Sequence, residues 1–248
     1  MAIDREELIE ALLTSRVTGE CYGRDAIGTI TPALCDWYNH DVVPLPFDVA
    51  ASKALFAEAG WRDTDGDGWL DRDGRRFEFK LATNAGNKRR EQATVIIQAQ
   101  LQKVGVKADI DYVETTTFFE QARQRDYEAM LAGWSAALLV DPTNVWHSDA
   151  PERRYEFNFV SYSNPEVDRL IDEALEALDP AEAQAKIREM QALIHADQPY
   201  TFLYWRDDLV GVHARFRDVK IDILSLLNDL HLWWVPERLQ KYRTRAER

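Results

Sequence analysis

The strongest periodicities along the chain are helical. Leu8, Ile9, Leu12 and Leu13 share one face behind Asp4, an N-cap residue, with Glu7 at the third helical position to close a capping box. Ala51, Leu55 and Ala59 follow Asp48 in the same way and meet a stop at Gly60. Ala93, Ile96, Ile97, Leu101 and Val104 mark a longer amphipathic helix with Gly105 just past its end, and Phe118, Phe119 and Ala122 mark a short one over residues 117–125. Ser163-Asn164-Pro165-Glu166 opens a helix that turns Val167, Leu170, Ile171, Ala174 and Leu175 inward. Asp179-Pro180-Ala181-Glu182 opens the last, which carries Ile187, Met190 and Ile194 and stops before Pro199.

Elsewhere the pattern alternates. Phe77, Phe79 and Leu81 are interleaved with Glu78, Lys80 and Ala82, and Val106, Ala108, Ile110 and Tyr112 with Lys107, Asp109 and Asp111. With the helix between them, these strands predict a right-handed crossover within a sheet. Residues 127–133 read as a buried strand, and residues 200–205 and 209–213 as two more; residues 230–235 form an aromatic run containing Trp233-Trp234. Residues 16–47, with Gly19, Gly23, Gly28, Pro32, Pro44 and Pro46, predict a loop wrapped on the surface.

Charge and composition narrow the function. A chain of 248 residues with a net charge of −13 lacks the basic footprint that nucleic acid or an anionic membrane requires; the basic residues of the 238–248 tail read as a solvated terminus. No run of about 18 apolar residues is present. Met1-Ala2 lead straight into a helix start, so the expectation is a chain without an export signal of its own, consistent with an excised piece. Cys21 and Cys35 fit a disulfide and a pair of reduced thiols equally well. The histidines are scattered without paired spacing, His195 reading as a charge at the end of its helix. No nucleophile elbow, phosphate loop or dinucleotide fingerprint occurs, which makes an enzyme the weaker hypothesis.

Two stretches carry candidate chemistry. Residues 127–149 run from the buried strand through Gly133-Trp134 to Asp141-Pro142 and Trp146, an arrangement suited to the wall of a binding cleft, with a core strand and ordinary loop as the alternative. Trp134, Ser135, Ala137, Asp141 and Trp146 are the candidate ligand-binding residues. In the other stretch, Asp63, Asp65, Asp67 and Asp71 alternate around glycines like the first half of a calcium loop, but Gly74 stands where the bidentate glutamate belongs. Calcium there would pin the loop; a solvated acidic turn is the other reading.

The order of these features resembles the C-terminal half of the family 5 extracellular solute-binding proteins, the peptide- and nickel-binding receptors of ABC importers. The resemblance rests on AIDREELI at 2–9, ASKALFAEAGW at 51–61 leading into DTDGDGWLD, IIQAQLQKVGVKADI at 96–110, GW at 133–134, DP at 141–142, YSNPEVDRLIDEA at 162–174 and DQPYTFLYW at 197–205. It implies an α/β chain forming one lobe of a type II periplasmic-binding-protein-like fold, a mixed sheet flanked by helices. Residues 1–205 would be the ligand-binding lobe and 206–248 a segment returning towards the other lobe. It further implies a non-catalytic, periplasmic or extracellular receptor, membrane-associated at full length, that needs no cofactor and hands peptides or related solutes to a membrane permease. An isolated lobe should bind weakly or not at all and can self-associate. Peptide-binding members are similar in placing an aspartate between Gly-Trp and Asp-Pro. This chain has only uncharged residues over 135–140, which favours an uncharged or amphipathic solute. The alternative reading is a calcium-stabilised protein-interaction module.

Overall fold

The computed structural model describes residues 1–135, 139–150, 152–221 and 229–241. They fall into two units, Met1–Arg206 and Asp207–Arg248. In chain order the first unit carries α1 (Arg5–Leu13), β1 (Gly23–Asp25), α2 (Val49–Glu58), β2 (Asp71–Arg72), β3 (Arg75–Arg76), β4 (Glu78–Asn84), α3 (Lys88–Lys103), β5 (Lys107–Val113), α4 (Thr115–Gln124), β6 (Ala129–Met130), α5 (Thr143–Trp146), α6 (Pro165–Glu176), α7 (Pro180–Asp197) and β7 (Tyr204–Arg206).

The helices begin where their caps require. Asp4 accepts from the Glu7 N–H at 3.0 Å, Asp48 from Ala51 at 2.8 Å, Asn164 from Glu166 at 3.0 Å and Asp179 from Ala181 at 3.0 Å. The capping box expected at α1 does not close on itself. Gln100 of α3, buried, takes both of its ends: the Asp4 N–H donates to Gln100 Oε1 at 3.0 Å, and Gln100 Nε2 donates to Glu7 Oε2 at 2.8 Å. A local motif is thus used to dock one helix on another.

The sheet is parallel, in the order β5-β4-β6. β4 pairs with β5 from Glu78↔Lys107 to Asn84↔Val113, with α3 as the crossover, and with β6 through Leu81↔Ala129 and Ala82↔Met130. The long strand expected over 127–133 is therefore two residues. Beyond it, the Leu131 N–H still donates to Ala82 O at 2.8 Å, but the Leu131 carbonyl is taken by the Thr83 hydroxyl at 2.9 Å, so a side chain replaces the ladder. Ala82, expected to face outward, is buried with Leu81 and Thr83, because α3 and α4 both pack on this central strand.

Two cores result. Leu8, Leu81, Ala93, Ile97, Ala108 and Leu131 join α1, α3 and the sheet. The other joins α6 and α7 through Leu170, Ile171, Ile187 and Met190, together with Trp146, Phe202, Ala26 and Ile30. The last two residues lie in the segment expected to be surface loop, and β1 within that segment pairs antiparallel with β7, Gly23↔Arg206 to Asp25↔Tyr204. A loop can bury side chains without any periodicity to announce it. His195, in the last turn of α7 as expected, is buried as well, and its Nδ1 lies 3.1 Å from the Ile27 carbonyl, which ties α7 to this same segment. Cys21 and Cys35 are free and exposed.

In the second unit residues 209–213 form no strand. Arg217 and Trp234 make an isolated antiparallel bridge, with N–H to carbonyl distances of 2.9 and 3.4 Å, and Phe216 packs on Trp233 with ring centroids 5.7 Å apart. Leu230–Leu232 and Glu237–Leu239 are single 3-10 turns.

Candidate ligand wall and acidic loop

Because β4, β5 and β6 are parallel, their carboxyl ends share one edge of the sheet. From β4 the chain moves to β5 on one side and then crosses to β6 on the other, so the strand order reverses at β4. Open parallel sheets take their ligands at such a switch point. Gly133 and Trp134 follow β6 on this edge.

Trp134 is 36% exposed and stands on an aromatic ledge. Its ring stacks on Phe159 at 5.5 Å and 13°, and meets Phe157 edge-on at 5.8 Å and 72°. The ledge is fixed to the start of the wall by the Tyr127 hydroxyl, which donates to the Phe159 carbonyl at 2.8 Å. Phe157 and Phe159 lie on an irregular segment, and no pattern in the sequence singled them out.

Beside Trp134 is a cavity of about 110 Å³ lined by Thr29, Thr31, Leu34, Ser135 and Asp141 among others. Asp141 is the sole ionisable group of this lining among the described residues. Its Oδ1 accepts from the Thr143 N–H at 3.0 Å, which makes it the turn residue that starts α5. The threonines come from the 16–47 segment, again without a sequence signal. Ala137 lies outside the described residues.

Trp146 is not part of this surface. It is 1% exposed, packed among Tyr162, Tyr200 and Phe202, and its indole N–H donates to Thr29 Oγ1 at 2.8 Å. The large ring went to the core because the aromatics of α7's exit and of the loop before α6 enclose it there. Through Thr29, however, it holds one of the cavity's lining residues from behind.

The acidic loop divides its four carboxylates. Oxygens of Asp63, Asp65 and Asp71 lie within 4.8 Å of one another, whereas Asp67 is drawn away into an ion pair with Arg76. Asp63 also accepts from the Gly66 and Gly68 N–H groups at 2.7 and 3.0 Å. Asp71 accepts from the Thr64 N–H and hydroxyl at 2.9 and 2.8 Å, bonds that hold its carboxyl below the usual range. Three carboxylates are a partial set for calcium, which takes six to eight oxygens. The loop is anchored independently of any ion: β2 and β3 turn through Asp73 and Gly74, both at positive φ (54° and 72°), and the Leu70 N–H donates to the Gly105 carbonyl at 2.7 Å.

The family model for bacterial extracellular solute-binding proteins, family 5 (middle), matches residues 1–155. The oligopeptide-binding protein AppA of Bacillus subtilis is 32% identical over 241 residues, covering 95% of this chain and 42% of that protein. The solved structure of AppA with a nonapeptide superposes with a TM-score of 0.78 at 31% identity, over 95% of this chain and 46% of that one. The oligopeptide-binding protein of Thermus thermophilus, complexed with a pentapeptide, has a TM-score of 0.71 at 26% identity, over 83% of this chain and 36% of that one. The chain thus spans less than half the length of the relatives it matches. With the family's pattern running through most of its first unit, and with the parallel sheet, crossover and helix pair arranged as in these receptors, this chain belongs to the family 5 extracellular solute-binding proteins.

Proposed function

We propose that this chain is the solute-contacting lobe of a receptor that captures peptides or related small solutes outside the cytoplasm for an ABC importer, and that it has no catalytic role. The supporting observation is the wall after β6: a part-exposed tryptophan on a rigid aromatic ledge, next to a cavity, at the carboxyl edge of a parallel sheet. Relatives named for oligopeptide binding support the solute class. The contact residues in this reading are Trp134, Ser135 and Asp141, with Thr29 and Thr31 opposite, and the delivery partner is a membrane permease.

A wall of this kind holds a solute by stacking and burial of apolar area, and one lobe supplies only half of an enclosure, so millimolar to high-micromolar affinity is expected. Calorimetric titration of the chain with alanine pentapeptide should give saturable binding that weakens in Trp134→Ala. Hydrolysis of the peptide during the titration, or equal affinity in the variant, would overturn the reading. The same proposal gives calcium a structural place only: Asp63, Asp65 and Asp71 would hold it, pinning the loop against α3.

A further inference from the structure

Phe157 and Phe159, the ledge under Trp134, lie in a segment that forms turns only over residues 154–159, and it is held from two sides. On one side Asn158, fully buried between them, donates to the carbonyls of His147 and Tyr162 at 3.1 and 2.8 Å. The Phe157 N–H donates to the Asn144 carbonyl at 3.2 Å. These bonds tie the ledge to α5 and to the approach to α6.

On the other side the contacts are with the end of α4. Arg125, the residue that closes that helix, forms an ion pair with Asp149, Nη2 to Oδ2 at 2.6 Å, the two side chains being 19% and 26% exposed. The second oxygen of Asp149 accepts from the Tyr155 N–H at 2.8 Å. Arg154 Nη2 donates at 2.7 Å to the carbonyl of Arg123 in the last turn of α4. The Tyr127 hydroxyl on the Phe159 carbonyl completes this side.

Three features set Arg125 apart from an ordinary surface charge. Its backbone is left-handed (φ 59°, ψ 33°), where glycine is the common helix terminator, so a side chain is kept at a position that is easier without one. Its guanidinium shares a cavity lining with Asp126 and Glu128, its near neighbours in sequence, yet crosses to Asp149, far along the chain. And α4 is fixed without it, through Phe118 and Ala122, both fully buried. The pull of the ion pair therefore falls on the turns that carry the ledge, where Tyr155 and Asn158 alone are buried.

We propose that Arg125 is a positioning residue of the solute wall: through Asp149 it holds the 154–159 turns against α4 and so sets the ledge on which Trp134 rests. Its effect on affinity rests on the solute-binding reading; its effect on the place of the Trp134 ring does not.

The test combines fluorine NMR of the 248-residue chain labelled with fluorotryptophan and calorimetric titration with alanine pentapeptide. The Trp134 and Trp146 resonances are assigned by their loss in Trp134→Phe and Trp146→Phe. Arg125→Gly removes the guanidinium and gives the helix end its common terminator, so Tm should stay within about 3 °C. In that variant the Trp134 resonance should shift or broaden while that of Trp146 stays. The peptide should bind on the order of five-fold more weakly, as expected when the ledge is in place for only a fraction of the time. Arg125→Lys should restore part of both, and Asp149→Asn should repeat the effects of Arg125→Gly. An unmoved Trp134 resonance in Arg125→Gly and Asp149→Asn would overturn the positioning role, whatever the peptide does. Failure of both variants to fold, or movement of the Trp146 resonance along with that of Trp134, would make Arg125 a general structural residue and overturn it as well. A moved Trp134 resonance beside unchanged affinity would overturn its part in binding. A moved resonance with no peptide binding by the unmodified chain would overturn the solute reading and leave the placement of the ledge standing.

Discussion

Trp146 is 1% exposed, with three aromatic rings around it and its indole N–H satisfied by Thr29; Trp134 is 36% exposed and rests on Phe157 and Phe159. Both follow β6 on the same stretch of chain, and both read from the sequence as wall residues. Their difference shows how the wall is built. The inner tryptophan is part of the α6–α7 core and fixes Thr29 from behind, and the outer one can remain partly uncovered because that core does not depend on it. One region supplies rigidity and the other contact.

Substitutions can break this division. Trp146→Ala should have the largest effect, a loss of roughly 3–5 kcal/mol in urea unfolding, since it empties a fully buried aromatic site. Thr29→Val keeps the volume but strands a buried indole N–H, and should cost about 1–3 kcal/mol while also reshaping the cavity. Trp134→Ala should cost about 1 kcal/mol or less in stability, because its ring is partly solvated, yet should weaken solute binding on the order of ten-fold. If Trp134→Ala destabilises the chain as much as Trp146→Ala, the two residues are both core and the division fails.

A smaller effect belongs to the cage around Trp146. The Tyr162 hydroxyl donates to Asp197 Oδ2 at 2.6 Å, and Asn164 Nδ2 donates to the same oxygen at 2.9 Å. These bonds hold the Asp197 carboxyl below its ordinary value, Tyr162 first. A depressed folded pKa contributes stability that is complete above the unfolded value of about 4 and is lost as the pH falls through the folded one. The Tyr162 phenol is pushed up, by burial first and then by Asp197, so its contribution is complete below the unfolded tyrosine value of about 10 and is lost as the pH rises beyond it. Urea midpoints against pH should therefore show a plateau between these limits. In Asp197→Asn the acid limb should flatten slightly, the effect being small because the carboxylate is largely exposed to solvent. The smallest shift expected is that from calcium: a rise of a degree or two in Tm, abolished by Asp71→Asn and unaffected by Trp134→Ala, if the acidic loop takes the ion.

Helices were the most legible part. Asp4, Asp48, Asn164 and Asp179 cap by bonds to N–H groups two or three residues away, and the apolar stripes of α3, α6 and α7 face cores, except that Leu175, expected to turn inward with the rest of α6, is exposed at the edge of its stripe. The strand–helix–strand crossover was legible too, because two alternating runs flank a helix of the right length. What escaped were the residues whose partners are distant in the chain: Gln100 replacing the capping box of α1, Thr83 ending the β6 ladder, Thr29 and Thr31 at the cavity, and Phe157 and Phe159 beneath Trp134. Asp67 looked like Asp63 and Asp71 until Arg76, across a hairpin, claimed it.

By itself, then, the sequence determined the elements that local physics dictates, namely caps, stripes, crossover and turns, together with the family to which their order belongs. Only the tertiary structure decided which tryptophan is wall and which is core, and brought Arg125 at the end of α4 to Asp149. Helix periods and caps act over a turn or two of chain, and their signals are printed side by side. Burial and the meeting of a helix end with a distant loop are set by packing between segments far apart in sequence, and no spacing of residues encodes them.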